Sequence, residues 1–208
     1  MTEQPIIFTH HIDRLIDRTK TQTRRTIHPQ PKWDAEVTHT RVIGPLAFPI
    51  GALGQQCGGP LFVDGRKDGV FHIRNPYGGP DSRLWVKEPY RLDGLRYLYR
   101  DGALTGQWSN PMFMPREACR LRLRVTEVRV ERVQAISEAD AIAEGIERDT
   151  SVFLHAGWKL YGQTENMTTS PIESYRSLWD SINAGRNKGV FAWQHNPWVW
   201  VLTTEVIP

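Results

Sequence analysis

The stretch Arg120-Leu121-Arg122-Leu123-Arg124-Val125-Thr126-Glu127-Val128-Arg129-Val130-Glu131-Arg132-Val133 alternates apolar and charged residues almost without interruption. Successive side chains of a strand point to opposite faces, so Leu121, Leu123 and Val125 share one side and Arg120, Arg122 and Arg124 the other. The phase slips at Thr126-Glu127, after which Val128 and Val130 resume it. The pattern predicts a long strand over 121–133 with a β-bulge at the slip.

Working outward, Leu84-Trp85-Val86-Lys87-Glu88 reads as a strand entered through a turn at Asp81-Ser82. Tyr90 to Tyr99 reads as a hairpin turning near Asp93-Gly94 or Asp101-Gly102. Pro197 to Val206 reads as a closing strand, Val199 and Val201 alternating with Trp198 and Trp200, and Pro5 to Phe8 as a short opening one. Three helices are expected. Thr9 caps the first, which runs to about Asp17 with Ile12, Leu15 and Ile16 as its buried stripe. Ser137 opens the second, with Asp140 three residues on as in a capping box; it runs to Glu144 and stops at Gly145. Pro171 starts the third, which runs to about Ile182 with Tyr175, Leu178, Trp179 and Ile182 on one face. Strands dominate and helices flank them, which implies an α+β fold built on a small mixed or antiparallel β-barrel. Periodicity alone does not choose between a barrel and an open sheet.

Residues 32–80 are rich in Gly and Pro and poor in apolar positions, so they read as an insertion wrapped on a single domain spanning 1–208. Within it, Phe62 to Arg66 and Val70 to Ile73 can pair as a ribbon around the Asp64–Gly69 turn. Residues 148–170 are polar and mixed, and read as a mobile loop. The eight tryptophans are unevenly placed, and Trp193, Trp198 and Trp200 read as core and edge packing rather than as a stacking platform.

Charged residues make up 24% and hydrophobic residues 39% of the chain, a globular composition, and the net charge of +3 is a mild basic bias compatible with nucleic acid. Cys57 and Cys119 form no metal-ligand spacing and read as reduced thiols. The opening residues lack the basic and apolar regions of a secretory leader, and no run reaches the roughly 20 apolar residues of a membrane helix. The expectation is a cytoplasmic protein with no membrane contact, no metal and no cofactor.

The densest concentration of polar chemistry is Lys20-Thr21-Gln22-Thr23-Arg24-Arg25. A threonine hydroxyl is a weak nucleophile unless a base accepts its proton, and a desolvated lysine beside other cations can become that base. Lys20 and Thr23 are the pair of interest, with Arg24 and Arg25 pushing the lysine in the required direction. On a strand the two arginines point to opposite faces, so one lines a pocket while the other meets solvent or a phosphate. Trp85 and Lys87 share a face, which suits a stacked base with its phosphate. Glu144 ends its helix against the helix dipole, a small cost that hints at use beside Lys20. His10 and His11 are adjacent and are not expected to face one ligand site.

These segments, together with Ser137 to Ile146, Leu178 to Ile182 and Asn196 to Val201, resemble ASCH-domain proteins of bacteriophages and prophages, members of the PUA-like superfamily of RNA-associated β-barrels. The resemblance implies a PUA-like barrel with a cleft, and a role on RNA or a modified nucleoside. One ASCH branch, the small N4-acetylcytidine amidohydrolases, uses a Lys, a Thr three residues later and a Glu near the end of the following helix. Lys20, Thr23 and, two past it, Arg25 match that pattern; the glutamate is Glu144, with Glu147 and Glu165 as alternatives. This chain is about twice the length of those enzymes, with the insertion between its first motif and Leu84. Other ASCH relatives are linked to RNA cleavage or RNA binding.

Three readings follow. The first is an amidohydrolase on N4-acylated cytosine or cytidine, using Lys20, Thr23 and Glu144, with Arg25 or backbone N–H groups on the oxyanion. The second is a non-catalytic RNA-binding module in which Arg24, Lys87 and Arg91 hold phosphates. The third is a phage accessory protein, working in the bacterial host cytoplasm, that binds a host protein through its Trp-rich segment.

Overall fold

The computed structural model describes residues 3–30, 61–63, 70–72, 75–100, 106–149, 157–162 and 167–208. In chain order its elements are β1 (Gln4–Ile7), α1 (Ile12–Ile16), β2 (Gln22–Thr26), β3 (Leu61–Val63), β4 (Val70–His72), β5 (Arg83–Lys87), β6 (Tyr90–Asp93), β7 (Arg96–Tyr99), β8 (Arg122–Arg132), α2 (Glu138–Ala143), β9 (Arg148–Asp149), β10 (Gly157–Lys159), β11 (Met167–Thr168), α3 (Pro171–Asn183) and β12 (Trp198–Ile207).

The alternation of 121–133 becomes β8, which pairs antiparallel with β12 from Arg132 opposite Trp198 to Arg122 opposite Ile207. The register shifts where Thr203 faces Glu127 and Thr204 faces Val125, so Thr126 is the extra residue of a bulge. That extra residue lets Leu123 and Val125, on one side of the slip, and Val128 and Val130, on the other, enter the same core. The five-stranded sheet has the order β1-β5-β8-β12-β2, parallel between β1 and β5 and antiparallel elsewhere.

From Trp198 to Leu202, β12 is buried on both faces. Trp198, Trp200 and Leu202 pack with Ile6, Leu15, Leu84 and Val86 on one side. Val199 and Val201 pack under α2 and α3 with Ala141, Tyr175, Leu178 and Trp179 on the other. Each such large apolar side chain contributes roughly 1.5–3 kcal/mol by leaving water. Trp179, Trp193, Trp198 and Trp200 are therefore core residues.

The class is α+β, but among the described residues the sheet does not close into a barrel: pairing stops at β1 on one edge and β2 on the other. α1 is shorter than expected. It begins after His11, whose left-handed backbone (φ 58°) breaks the helix, and the Thr9 hydroxyl bonds His10 Nδ1 at 2.9 Å instead of capping. Ile16 and Ile182, assigned to buried stripes, lie at the exposed margins of theirs. The hairpin β6–β7 turns at Asp93-Gly94, with Asp93 paired to Arg96 and Gly94 at φ 59°. β3 and β4 pair antiparallel as the ribbon was read; most of the 32–80 insertion, including Cys57, lies outside the described residues. Within 148–170 the described residues include three short strands, which pair as a small sheet of order β11-β10-β9. α3 holds it through Ser174 Oγ, which donates to the Lys159 carbonyl at 2.6 Å, and Ser177 Oγ, which accepts from Tyr161 N–H at 2.9 Å. Strands of two or three residues carry no readable period, which is why the composition pointed elsewhere. Among the described residues no helix is long and apolar enough to cross a membrane.

Candidate active site

Three backbone hydrogen bonds place the polar run. Lys20 N–H donates to the Arg14 carbonyl at 2.8 Å, Thr21 N–H to that of Ala143 at 2.9 Å, and Thr204 N–H to that of Thr21 at 2.8 Å. Lys20 is thereby pinned between α1 and the end of α2 as β2 begins. The helix it meets is capped as its sequence suggests: Ser137 Oγ accepts from Asp140 N–H at 3.1 Å. The box is half formed, because the Asp140 carboxylate turns away to other partners. Gly145 ends the helix at φ 82°, and a Cβ there would lie 3.0 Å from Lys20 Cβ. Glycine thus meets both the backbone turn and the close approach of the lysine.

Lys20 Nζ lies 3.1 Å from Glu144 Oε2, with the two side chains only 6% and 5% exposed, and also donates to the Glu144 carbonyl. The other carboxylate oxygen, Oε1, accepts from Arg24 Nη1 at 3.3 Å. Arg24 Nη2 bonds Asp140 Oδ2 at 3.1 Å and Glu131 Oε2 at 3.3 Å, and Asp140 further accepts from Gln22 Nε2 at 3.0 Å. The cost of Glu144 at a helix C-terminus is therefore offset by two buried cations.

Burial pushes the Lys20 ammonium below its ordinary range; Glu144 opposes that, while Arg25 and Arg24 add to it. Burial also acts against the charge on Arg24, but Glu144, Glu131 and Asp140 outweigh it and hold the guanidinium above its usual value. For Asp140 burial acts upward, and Arg24, Gln22 and Arg129 overcome it, leaving the carboxyl below the usual range.

A cleft of about 540 Å³ opens between the edge strands β1 and β2 and is lined by Lys20, Thr23, Arg24, Arg25, Lys87 and Glu144 among others. That volume lies within the range of small-ligand pockets. Six of the sequence candidates therefore converge on one hollow. Trp85 and Arg91 do not line it: Trp85 lies beneath the Lys87 ammonium at 5.3 Å, and Arg91 stacks over Trp108 at 5.2 Å. Glu147 pairs with Lys159 at 3.1 Å, and Glu165 lies outside the described residues.

Arg24 differs from the expectation of a phosphate-facing group, because three carboxylates hold its fully buried side chain. Arg25 does not face open solvent either: it donates from Nη2 to the Ile7 carbonyl at 2.7 Å and covers the Phe8 ring at 4.6 Å. α2 thus covers the Arg24 face of β2, while Arg25 reaches across the cleft side to the β1 edge.

Sequence reasoning missed three features. His10 and His11 both line the cleft, since the left-handed turn at His11 overrides strict alternation. Burial, then Lys20, lowers His11 to about 4, and its Nε2 lies 3.2 Å from Tyr161 Oη. Tyr175, from α3, lines the cleft with its ring 5.9 Å from the Arg24 guanidinium, and burial raises its phenol well above the usual value. Arg186, beyond α3, also reaches the cleft. No local pattern marks any of these. No family model matches the chain, and no curated protein or solved structure matches it.

Proposed function

We propose that this is an ASCH-type protein with an opened PUA-like barrel, directed at RNA or a modified nucleoside, and that its cleft hydrolyses the amide of N4-acylated cytosine or cytidine without a metal ion. The observation that carries the reading is the buried Lys20–Glu144 contact at 3.1 Å in a cleft that Thr23 also lines.

The chemistry follows from the charge arrangement. Desolvation favours the neutral amine of Lys20, and Arg24 draws on Glu144 from its other oxygen, so the carboxylate does not lock the lysine as an ammonium. The amine takes the Thr23 hydroxyl proton while Oγ1 forms a bond to the acyl carbon. Charge developing on the carbonyl oxygen faces Arg25, whose buried Nε has no hydrogen-bond partner among the described residues. The C–N4 bond breaks as Lys20 returns the proton to the departing amine. Water, activated by the regenerated neutral amine, then cleaves the threonyl ester and releases the carboxylic acid.

The test is turnover of N4-acetylcytidine, its 5′-monophosphate and an oligonucleotide containing it. Lys20→Ala and Thr23→Ala are each expected to lower kcat by about 10²–10⁴-fold. Wild-type turnover in either variant, or a wild type inert on all three substrates, overturns the reading.

A second reading, RNA binding without catalysis, is favoured by two cation–aromatic pairs, Lys87–Trp85 at the cleft and Arg91–Trp108 elsewhere on the protein. It predicts affinity that falls steeply with salt. Docking of a host protein through Trp179, Trp193, Trp198 and Trp200 finds no support, since all four are buried.

A further inference from the structure

Among the described residues, five cationic side chains line the cleft, Lys20, Arg24, Arg25, Lys87 and Arg186, against one carboxylate, Glu144. Three of the five have uses already described. Lys20 and Arg24 share Glu144, and Arg25 ties β2 to β1. Lys87 and Arg186 remain. Each is held in place by neutral groups alone: Lys87 donates to the Met112 carbonyl above the Trp85 ring, and Arg186 Nη1 donates to Asn183 Oδ1 at 3.0 Å. Asn183 is buried and is itself fixed through Nδ2 to the Trp179 carbonyl at 3.2 Å. Neither cation has a carboxylate within ion-pair distance among the described residues. A long side chain ordered by neutral partners has lost rotamer freedom yet keeps its full charge for a ligand.

The segment that carries Arg186 adds a second observation. Asn187 and Lys188 are consecutive non-glycine residues with left-handed backbones, φ 48° and 57°. Such conformations are costly and concentrate at functional segments. The histidines that line the cleft do not add to the charge near neutral pH. Burial, then Arg100, lowers His10, and burial, then Lys20, lowers His11 to about 4.

We propose that Lys87 and Arg186, which line the same cleft, supply a phosphate subsite there, so that the preferred ligand is a nucleotide rather than a nucleoside. The inference rests on the reading of the cleft as a nucleoside site. Lys87 supplies a point charge and Arg186 a two-pronged guanidinium, the pairing suited to a phosphate ester. The ester belongs either to a free mononucleotide or to one residue of a strand.

Binding of cytidine, cytidine 5′-monophosphate and a single-stranded oligocytidylate to the full chain tests it. A Thr23→Ala background suppresses turnover. The monophosphate or the oligonucleotide is expected to bind at least about tenfold tighter than cytidine at low salt. The gap should narrow as salt rises. In Lys87→Gln/Arg186→Gln the ratio between charged and neutral ligands should fall toward one. Arg186→Glu, at an exposed position, should reduce it alone. Which phosphate-bearing ligand gains more identifies the source. Equal affinity for cytidine and its monophosphate, with no gain for the oligonucleotide, overturns the subsite, as does a preference that survives the double variant. Turnover with no preference for phosphate leaves the hydrolase standing and removes the subsite. Phosphate-dependent binding without turnover does the reverse.

Discussion

Arg25 on β2 donates to the Ile7 carbonyl on β1 at 2.7 Å, and so joins the two edges at which the sheet stops pairing. The same guanidinium lies over the Phe8 ring at 4.6 Å. One side chain therefore closes what backbone pairing leaves open. Arg25→Ala is expected to cost about 1–3 kcal/mol, from a charge-assisted hydrogen bond and a cation–π contact. Urea unfolding measures it. Arg25→Lys should recover only part, because an ammonium lacks the planar fork. An unchanged denaturation midpoint in Arg25→Ala would show that the bridge holds nothing.

Gly145→Ala should damage the site through Lys20. The new methyl meets Lys20 Cβ at 3.0 Å and Cγ at 3.2 Å, on a backbone at φ 82° that alanine disfavours. A stability loss of about 1–3 kcal/mol is expected. Any turnover should fall further than stability alone explains, since the lysine must shift. Parallel thermal unfolding and activity assays separate the two effects.

Glu144→Gln keeps the shape and removes the charge. Lys20 and Arg24 would then lie buried without their shared carboxylate, a loss expected to be about 3–5 kcal/mol. The upward pull of Glu144 on the Lys20 pKa would also vanish, leaving burial and the two arginines to lower it further. The acid limb of a pH–rate profile should move to lower pH. A limb that stays in place would exclude Lys20 as the titrating base. Lys20→Met/Glu144→Leu should recover much of the stability while abolishing turnover, because the paired charges leave together.

Acid should destabilise the protein through His11, whose side chain is 6% exposed beside Tyr161 and Glu147. Its folded value of about 4 lies below the ordinary 6.5. As pH falls, the unfolded chain binds the proton first. The contribution is complete above about 6.5, declines between there and about 4, and levels off once the folded state also protonates. The loss is on the order of 3 kcal/mol. His11→Asn should flatten the pH dependence of urea stability across that window; an unchanged slope would assign acid sensitivity to another group.

The bulged strand was legible because alternation is a local signal: the slip at Thr126 in the sequence is the extra residue at Thr126 in the sheet. The Ser137 cap and the Pro171 start were legible for the same reason. Sheet closure was not, because whether β1 and β2 pair depends on how far the whole sheet curls. The Lys20–Glu144 contact joins residues 124 apart, and no spacing rule reaches that distance. Resemblance proposed it. The burial of Arg24 followed neither route, since it needs Glu131, Asp140 and Glu144 gathered from two elements. His11 escaped because one left-handed residue reorders a cleft wall without altering composition.

β12 lies between β8 and β2 and touches both cores, so residues 198–207 hold together what residues 22–26 and 122–132 can only begin. During translation the nascent chain must therefore carry its lysine, threonine and arginines unassembled until that strand has left the ribosome. Pairing across so long a sequence separation is slow. The apolar faces of β5 and β8 stay uncovered meanwhile, which makes the interval before β12 emerges the period of greatest exposure to aggregation and to chaperones.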